Sequence, residues 1–207
     1  MELIYECDNF ITPDYCKHLI DKFESDETKI DGSTINGVNS SKKSVDLRIY
    51  GEDRWYNEEM YITKMLRKAQ NSYQTFLKGD NFDRDDLLYD AMKHCYIFPP
   101  QIQKTVPGGY YKWHFDVTLP MCYKVFTYII YLNDVDKESG GATEFNCGKI
   151  IQPKVGKIVI FPTTLTYLHR GKLLENGLKY IATNAYTCEP PSIIQPTNKN
   201  NFQMIVR

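Results

Sequence analysis

The spacing of apolar residues changes its rhythm part-way along the chain. The first part is largely helical. Cys16, Leu19, Ile20 and Phe23 fall on one stripe at helical spacing. Thr12 can cap this helix, with Pro13 at its first position and Asp14 at the positive end of the dipole. Ile62, Met65, Leu66, Ala69, Tyr73 and Phe76 keep the same period, which predicts a longer helix from Trp55 to Leu77 with Gly79 as its stop. Around these helices, residues 2–7 read as a short strand and residues 25–44 as a polar, turn-rich loop. Val45, Leu47 and Ile49 alternate with Asp46, Arg48 and Tyr50, the pattern of a strand with one buried face. Residues 80–90 read as an acidic loop.

Between Lys93 and Cys188 the apolar runs become short and alternating. They are punctuated by Pro99-Pro100, Pro107-Gly108-Gly109, Gly140-Gly141, Pro153, Gly156, Pro162, Gly171 and Gly177. Such spacing predicts an antiparallel sandwich or barrel rather than parallel β-α-β units, and a jelly roll is the natural candidate. Helices first and strands afterwards place both helices against one face of a sheet. The expected fold class is therefore α+β, mainly β: a double-stranded β-helix with N-terminal helices packed on one sheet. Residues 1–92 would form a helical support region of the same domain, 93–188 the core, and 189–207 a C-terminal extension.

Composition narrows the setting. A chain of 207 residues suits one domain with a full core, and 16 Tyr with 10 Phe favour a β-rich interior. The formal net charge of -1, with both signs scattered, offers no basic field for nucleic acid or an anionic membrane. The N-terminus lacks the basic start and apolar run of a signal peptide, and no segment approaches 18 apolar residues. A soluble, cytoplasmic protein is expected. The 6 cysteines are dispersed without a C-x-x-C pair, so free thiols are expected rather than zinc-finger spacing or disulfides.

Candidate chemistry centres on Lys112 to Asp116, K-W-H-F-D. In an extended strand His114 and Asp116 project from one face and Phe115 from the other. Non-haem Fe(II) sites use two histidines and one carboxylate and leave positions open; this pair supplies two of the three ligands. The third is expected late in the strand-rich half, because distant strands of a jelly roll converge on the pocket mouth. His169, in L-H-R-G, qualifies, whereas His94 lies upstream of His114 and is expected to be structural, and His18 sits among charged residues at the helix boundary. If G-L-K-Y-I-A-T is a strand, Lys179, Ile181 and Thr183 share a face. A lysine facing into a barrel needs an anion, such as a dicarboxylate met by a compact ammonium charge. The alternative is an outward lysine, with Tyr180 and Ala182 facing in.

The region from about Gln103 to Cys188 resembles the catalytic core of the Fe(II)/2-oxoglutarate-dependent dioxygenases, and most closely the prolyl 4-hydroxylase-like family. The resemblance rests on an ordered set: P-G-G-Y-Y-K-W-H-F-D from Pro107, Y-L-N-D from Tyr131, G-G-A-T-E-F from Gly140, P-K-V-G from Pro153, I-V-I-F from Ile158, H-R-G from His169, and Lys179. It implies His114, Asp116 and His169 as iron ligands and Lys179 as partner of the distal carboxylate of 2-oxoglutarate. Tyr131 would help hold that carboxylate and Thr183 would line the same pocket. Trp113, Tyr111 and Arg170 would wall the substrate groove, and no catalytic residue beyond the metal ligands is implied.

The implied cofactors are Fe(II), with 2-oxoglutarate and O2 as co-substrates and ascorbate as reductant. The implied reaction hydroxylates a C–H bond, with succinate and CO2 as co-products, most naturally on a prolyl residue of a protein or peptide. Hydroxylation of a free amino acid or small metabolite is the runner-up, and a non-catalytic metal-binding module the rival from another class. Thr105 stands where many prolyl hydroxylases have tyrosine, and Ala185 where an aromatic residue is usual; both departures bear on the substrate rather than the reaction class. Residues 25–44, or alternatively the loop between Asp134 and Gly140, are expected to close over a bound peptide.

Overall fold

The computed structural model describes residues 3–34, 36–78, 82–117 and 122–190, with the backbone alone for 82–86 and 88. Gly79, the expected helix stop, and the extension beyond Pro190 lie outside the described residues. Among the described residues, three helices precede most of the strands: α1 Pro13–Ser25, α2 Tyr56–Leu77 and α3 Phe82–Lys93. The strands among the described residues are β1 Tyr5–Cys7, β2 Ile30–Asp31, β3 Lys42–Lys43, β4 Val45–Arg48, β5 Tyr96–Ile97, β6 Gln101–Thr105, β7 Tyr110–His114, β8 Lys124–Tyr131, β9 Thr143–Phe145, β10 Ile150–Ile151, β11 Ile158–Pro162, β12 His169–Gly171 and β13 Lys179–Thr187.

They form two sheets. The major sheet runs β1-β11-β8-β13-β6-β4-β2, with β5 added on β13, and the minor sheet runs β10-β9-β12-β7-β3. Every strand pair is antiparallel, as a jelly roll requires.

Alternation along the major strands separates two cores. Ile102, Tyr128, Ile130, Ile158, Ile160, Tyr180, Ala182 and Tyr186 face the helices and pack with Leu19 and Phe23 of α1, Ile62, Leu66, Ala69 and Tyr73 of α2, and Met92 of α3. Ile129, Tyr131, Val159 and Phe161 face the other way and meet Phe145 and Ile151 of the minor sheet. The helices thus cover one face of the major sheet, and the minor sheet covers the other. Helix α1 begins as its sequence predicts, the Thr12 hydroxyl accepting from the Tyr15 amide at 3.3 Å.

Four expectations need correction. Residues 82–93 are helical rather than loop: a run of acidic residues is compatible with the start of a helix as well as with a loop, and Lys93 falls in the last turn. The Gln70 amide of α2 fastens the end of α3 by donating to the Met92 and Cys95 carbonyls at 2.8 and 3.0 Å. The segment 25–44 contains β2 and β3, two edge strands too short and polar to show alternation.

Strand β4 is covered on both faces. Leu47 packs toward the helices, while Asp46 is buried between the sheets. Lys42, which falls in the segment read as a polar loop, is buried with it; the Lys42 ammonium meets the Asp46 carboxylate at 2.5 Å, both side chains 3 % exposed. A partner of opposite charge is what permits such burial. No disulfide joins cysteines among the described residues. No helix among the described residues is long and apolar enough to cross a membrane.

Candidate metal centre and organic-acid pocket

Strand pairing in the minor sheet builds the centre. His114 ends β7 and His169 begins β12, and the two are register partners across the antiparallel pair, with ring centroids 4.2 Å apart. The next pair is Gly171 with Tyr111, so β7 carries one extra residue between the two pairings. This bulge turns Lys112 and Trp113 outward. It also brings Tyr111 back to the inner face, where its ring stacks on His114 at 3.5 Å. Asp116 lies just past the end of β7, and the Thr127 hydroxyl of β8 donates to its Oδ2.

His114, Asp116 and His169 are the group of metal-ligating type found among the described residues, with ligand atoms all within 4.8 Å of one another. His114 Nε2 is 3.7 Å from Asp116 Oδ1, and His169 Nε2 is 3.8 Å from Asp116 Oδ2. Both gaps are too long for hydrogen bonds and leave room for a shared ion. Each imidazole donates from Nδ1 to a backbone carbonyl, His114 to Lys112 at 2.7 Å and His169 to Tyr167 at 3.0 Å. That bond fixes the tautomer and leaves the Nε2 lone pair for a metal.

Protonation states agree with this. Burial, helped by the neighbouring His169, pushes the His114 pKa down to about 4, so it is neutral near pH 7. Burial alone would raise the Asp116 carboxyl, but His169, His114, Lys124 and the Thr127 hydroxyl outweigh it and bring it to about 2. Neutral imidazole and ionised carboxylate are the forms a metal binds. Two histidines and one carboxylate on one side of an open site suit non-haem Fe(II). The ring of His169 is held by Phe145 and Phe161, at 5.7 and 4.8 Å between centroids.

Deeper between the sheets lies Lys179. It is 6 % exposed, its ammonium donates to the Gly141 carbonyl at 2.7 Å, and no carboxylate pairs with it among the described residues. Burial pushes its pKa down to about 8. An ammonium so placed is satisfied by an anion brought from outside, and a dicarboxylate such as 2-oxoglutarate fits that need. Gly141 makes the approach possible. It holds φ of +67° and a Cβ there would meet Leu174 Cδ1 at 2.8 Å. Lys179 Nζ stands 5.8 Å from the Tyr131 ring centre, and the Tyr131 hydroxyl donates to Thr143 Oγ1 at 2.7 Å. Thr183 shares the inner face, but its hydroxyl proton is committed to the Tyr128 carbonyl at 2.7 Å.

The structure separates the residues expected to wall a groove. Tyr111 lies inside against His114. Trp113 and Arg170 lie on the outer face of the minor sheet, with the Arg170 guanidinium 4.8 Å from the Trp113 ring centre and bonded to Glu144 at 2.6 and 2.7 Å. His94 is exposed and stands apart from the centre; His18 bonds Glu58 Oε1 at 2.8 Å. Thr127 and Thr143 were not legible as site residues, since only the register of β8 and β9 brings them there.

Comparison with known proteins agrees with this geometry. The model of the 2OG-Fe(II) oxygenase superfamily matches residues 100–187. No curated protein matches the chain by sequence. Among solved structures, the chain is similar to a viral collagen prolyl hydroxylase from Paramecium Bursaria Chlorella virus-1 in complex with 2-oxoglutarate, at 20% identity and TM-score 0.61, covering 89% of this chain and 96% of that one. It is similar to a prolyl hydroxylase from Trichoplax adhaerens in complex with a peptide fragment of the hypoxia inducible factor oxygen degradation domain, at 15% identity and TM-score 0.70, covering 90% and 84%. It is also similar to a Pseudomonas putida prolyl-4-hydroxylase, at 15% identity and TM-score 0.64, covering 91% and 94%. The match of residues 100–187 to the 2OG-Fe(II) oxygenase model supports a 2-oxoglutarate-dependent oxygenase, and the chain shares the fold of these prolyl hydroxylases.

Proposed function

We propose that this oxygenase hydroxylates a prolyl residue of a protein or peptide, with iron held by His114, Asp116 and His169 and 2-oxoglutarate anchored by Lys179. The observation that carries the reading is the pairing of a three-ligand cluster within 4.8 Å with a buried ammonium that has no carboxylate partner among the described residues. When bound, Fe(II), 2-oxoglutarate and O2 supply the oxidation that places hydroxyl on an unactivated C–H bond. The chain supplies binding, orientation and exclusion of water. Thr127 holds the Asp116 carboxylate, and the Lys112 and Tyr167 carbonyls hold the two imidazoles. Lys179 and Tyr131 hold the far end of the acid. Tyr111 walls the pocket beside His114, while Trp113 and Arg170 offer an exposed aromatic and cationic edge for residues flanking the target.

The prolyl target is supported by the fold shared with three prolyl hydroxylases, and a peptide substrate by the one that carries a bound peptide. Succinate formation from 2-oxoglutarate, with Fe(II), ascorbate as reductant, a panel of proline-containing peptides and free amino acids, tests the proposal. Stimulation by one peptide with a mass gain of one oxygen on proline is expected. Stimulation only by a free amino acid would reassign the substrate, and folded, metal-loaded protein without turnover would sink the catalytic reading.

A further inference from the structure

Cys95 and Cys188 come together where β5 meets the end of β13. The two strands pair antiparallel, Tyr186 with Ile97 and Thr187 with Tyr96, and one further step of that register sets Cys188 opposite Cys95. Both side chains belong to one face. Cys95, Ile97 and Tyr186 lie in the core under the helices, and alternation puts Cys188 on the same face as Tyr186. Cys95 is 5 % exposed, whereas Cys188 is open to solvent.

Backbone hydrogen bonds identify the kind of pair. The Phe98 amide donates to the Ala185 carbonyl at 3.0 Å. Hydrogen-bonded and non-hydrogen-bonded pairs alternate along an antiparallel ladder, so 97 with 186 and 95 with 188 fall on the non-hydrogen-bonded positions. The Cys188 amide accordingly turns away from β5, donating to the Tyr123 carbonyl at 2.9 Å. The Cys95 amide donates to the Met92 carbonyl at 3.1 Å, and the Cys95 carbonyl accepts from Gln70 at 3.0 Å. Residues opposed in this way stand about 4.5 Å apart at Cα, within the roughly 4.4–6.8 Å that a disulfide spans. Electrostatics gives a second sign of proximity: burial, and then the neighbouring Cys188, push the Cys95 thiol up to about 12.

We infer that Cys95 and Cys188 form a reversible disulfide, a modification site that staples the start of β5 to the end of β13. The oxidant is a small-molecule disulfide. The exposed Cys188 gives up its proton and attacks it, forming a mixed disulfide and releasing one thiol. Cys95 then gives up its proton, attacks the Cys188 sulfur and expels the second thiol. The two protein thiols thereby lose two electrons and become one S–S bond, while the oxidant becomes two thiols that take up both protons. In doing so Cys95 leaves its bond to the Ala91 carbonyl, 3.1 Å in the reduced chain. Neither thiol belongs to the metal-ligating group. The staple closes just beyond Ala185, whose register partner Thr127 holds Asp116.

Oxidised glutathione is the probe, added to the metal-free full chain without O2; intact mass, peptide mapping and thermal melting are the readouts. The expected product has lost two hydrogens, yields a cross-linked peptide joining Cys95 to Cys188, and reverts with a dithiol reductant. A bond that closes so long a loop should raise the melting temperature by roughly 5–15 °C. Cys188→Ser, at an exposed position, should fold like the parent and show neither the internal bond nor the rise. Cys122, which precedes Tyr123 beside Cys188, is the competing partner; Cys122→Ser should show both. A cross-link between Cys122 and Cys188 overturns the assignment. So does a lasting glutathione adduct on Cys188 without an internal bond, or a folded chain that keeps all its thiols. A Cys95–Cys188 bond that leaves the melting temperature unchanged or lowers it is one the fold does not accommodate, and overturns it as well.

Discussion

His114 and His169 face each other as register partners at the junction of β7 and β12, and the bulge beside that pair holds Tyr111 flat on the His114 ring. Asp116 has no such sheet support, because it lies past the strand end; its support is the Thr127 hydroxyl. Thr127→Val keeps the shape and removes the donor. Partners that orient a ligand typically contribute 10- to 100-fold to metal affinity, so this variant should fold normally and bind Fe(II) or Mn(II) roughly 10- to 100-fold more weakly. Metal titration checks it, and parental affinity would show that Asp116 is held without Thr127.

Lys179 predicts opposite pH trends for stability and for ligand binding. Burial puts its folded pKa at about 8, below the about 10.4 of an unfolded lysine. Between those values the unfolded chain binds more protons, so stability rises with pH across this window, by up to roughly 3 kcal/mol. Lys179→Met should lack the rise and exceed the parent in stability at pH 7; denaturant titrations at pH 7 and 9.5 measure both. For 2-oxoglutarate the trend reverses. Above about pH 8 the free pocket holds a neutral amine, binding must take up a proton, and Kd should increase about tenfold per pH unit. A flat Kd from pH 7 to 9.5 would remove Lys179 from the anion site.

His114 and Asp116 were legible as a candidate pair because they stand two residues apart, one at the end of β7 and one just past it, and the glycine and proline punctuation marked the jelly roll. Lys179 was legible as a choice between two faces. Its neighbours Tyr180 and Ala182 are apolar and buried as well, so alternation alone left the choice open, and the absence of a carboxylate partner is a property of the folded pocket. The bulge at Lys112 and Trp113 was not legible, since an extra residue in a strand leaves no compositional mark; that is why Tyr111 and Trp113 were expected on one wall. Gln103 and Asp46 read as ordinary polar positions because their burial depends on a second sheet whose strands come from far along the chain. Helix α3 was missed for another reason: its sequence is too rich in charge to show an apolar period.

Asp26 joins the end of α1 to the start of α2. Its carboxylate accepts from the Trp55 indole at 2.8 Å, the Arg54 guanidinium at 2.8 Å, and the Thr28 amide and hydroxyl at 2.8 and 2.6 Å. Burial opposes ionisation, but the bonds from Thr28, Trp55 and Arg54 outweigh it and hold the carboxyl well below its usual range. A depressed carboxylate contributes stability that is complete above the unfolded value of about 3.9 and is lost as pH falls through the folded one. Asp26→Ala also leaves the buried Trp55 N–H unpaired, so it should cost about 3 kcal/mol at pH 7 and flatten the acid limb of the stability curve. Urea titrations from pH 7 to 2.5 provide the check; an unchanged acid limb would show that other carboxylates govern it.

The Lys42 and Asp46 pair ties the minor sheet to the major sheet at their open edge, since β3 belongs to one and β4 to the other. Buried pairs are costly to break singly and cheap to replace together. Removing one partner strands the other charge at about 3–5 kcal/mol, whereas apolar replacement of both is often neutral or stabilising. Lys42→Ala should therefore be strongly destabilising, while Lys42→Met combined with Asp46→Leu should recover most of the loss, with the Ser44 hydroxyl turning to water. The pair stands beside Tyr111, whose ring centre lies 5.4 Å from Lys42 Nζ, so the single variant should also loosen the wall that stacks on His114. Denaturation midpoints of the parent, both single variants and the double variant give the coupling. A cost below about 1 kcal/mol for Lys42→Ala would mean that Asp46 finds solvent or another donor at this edge, and that the sheets are joined here by packing alone.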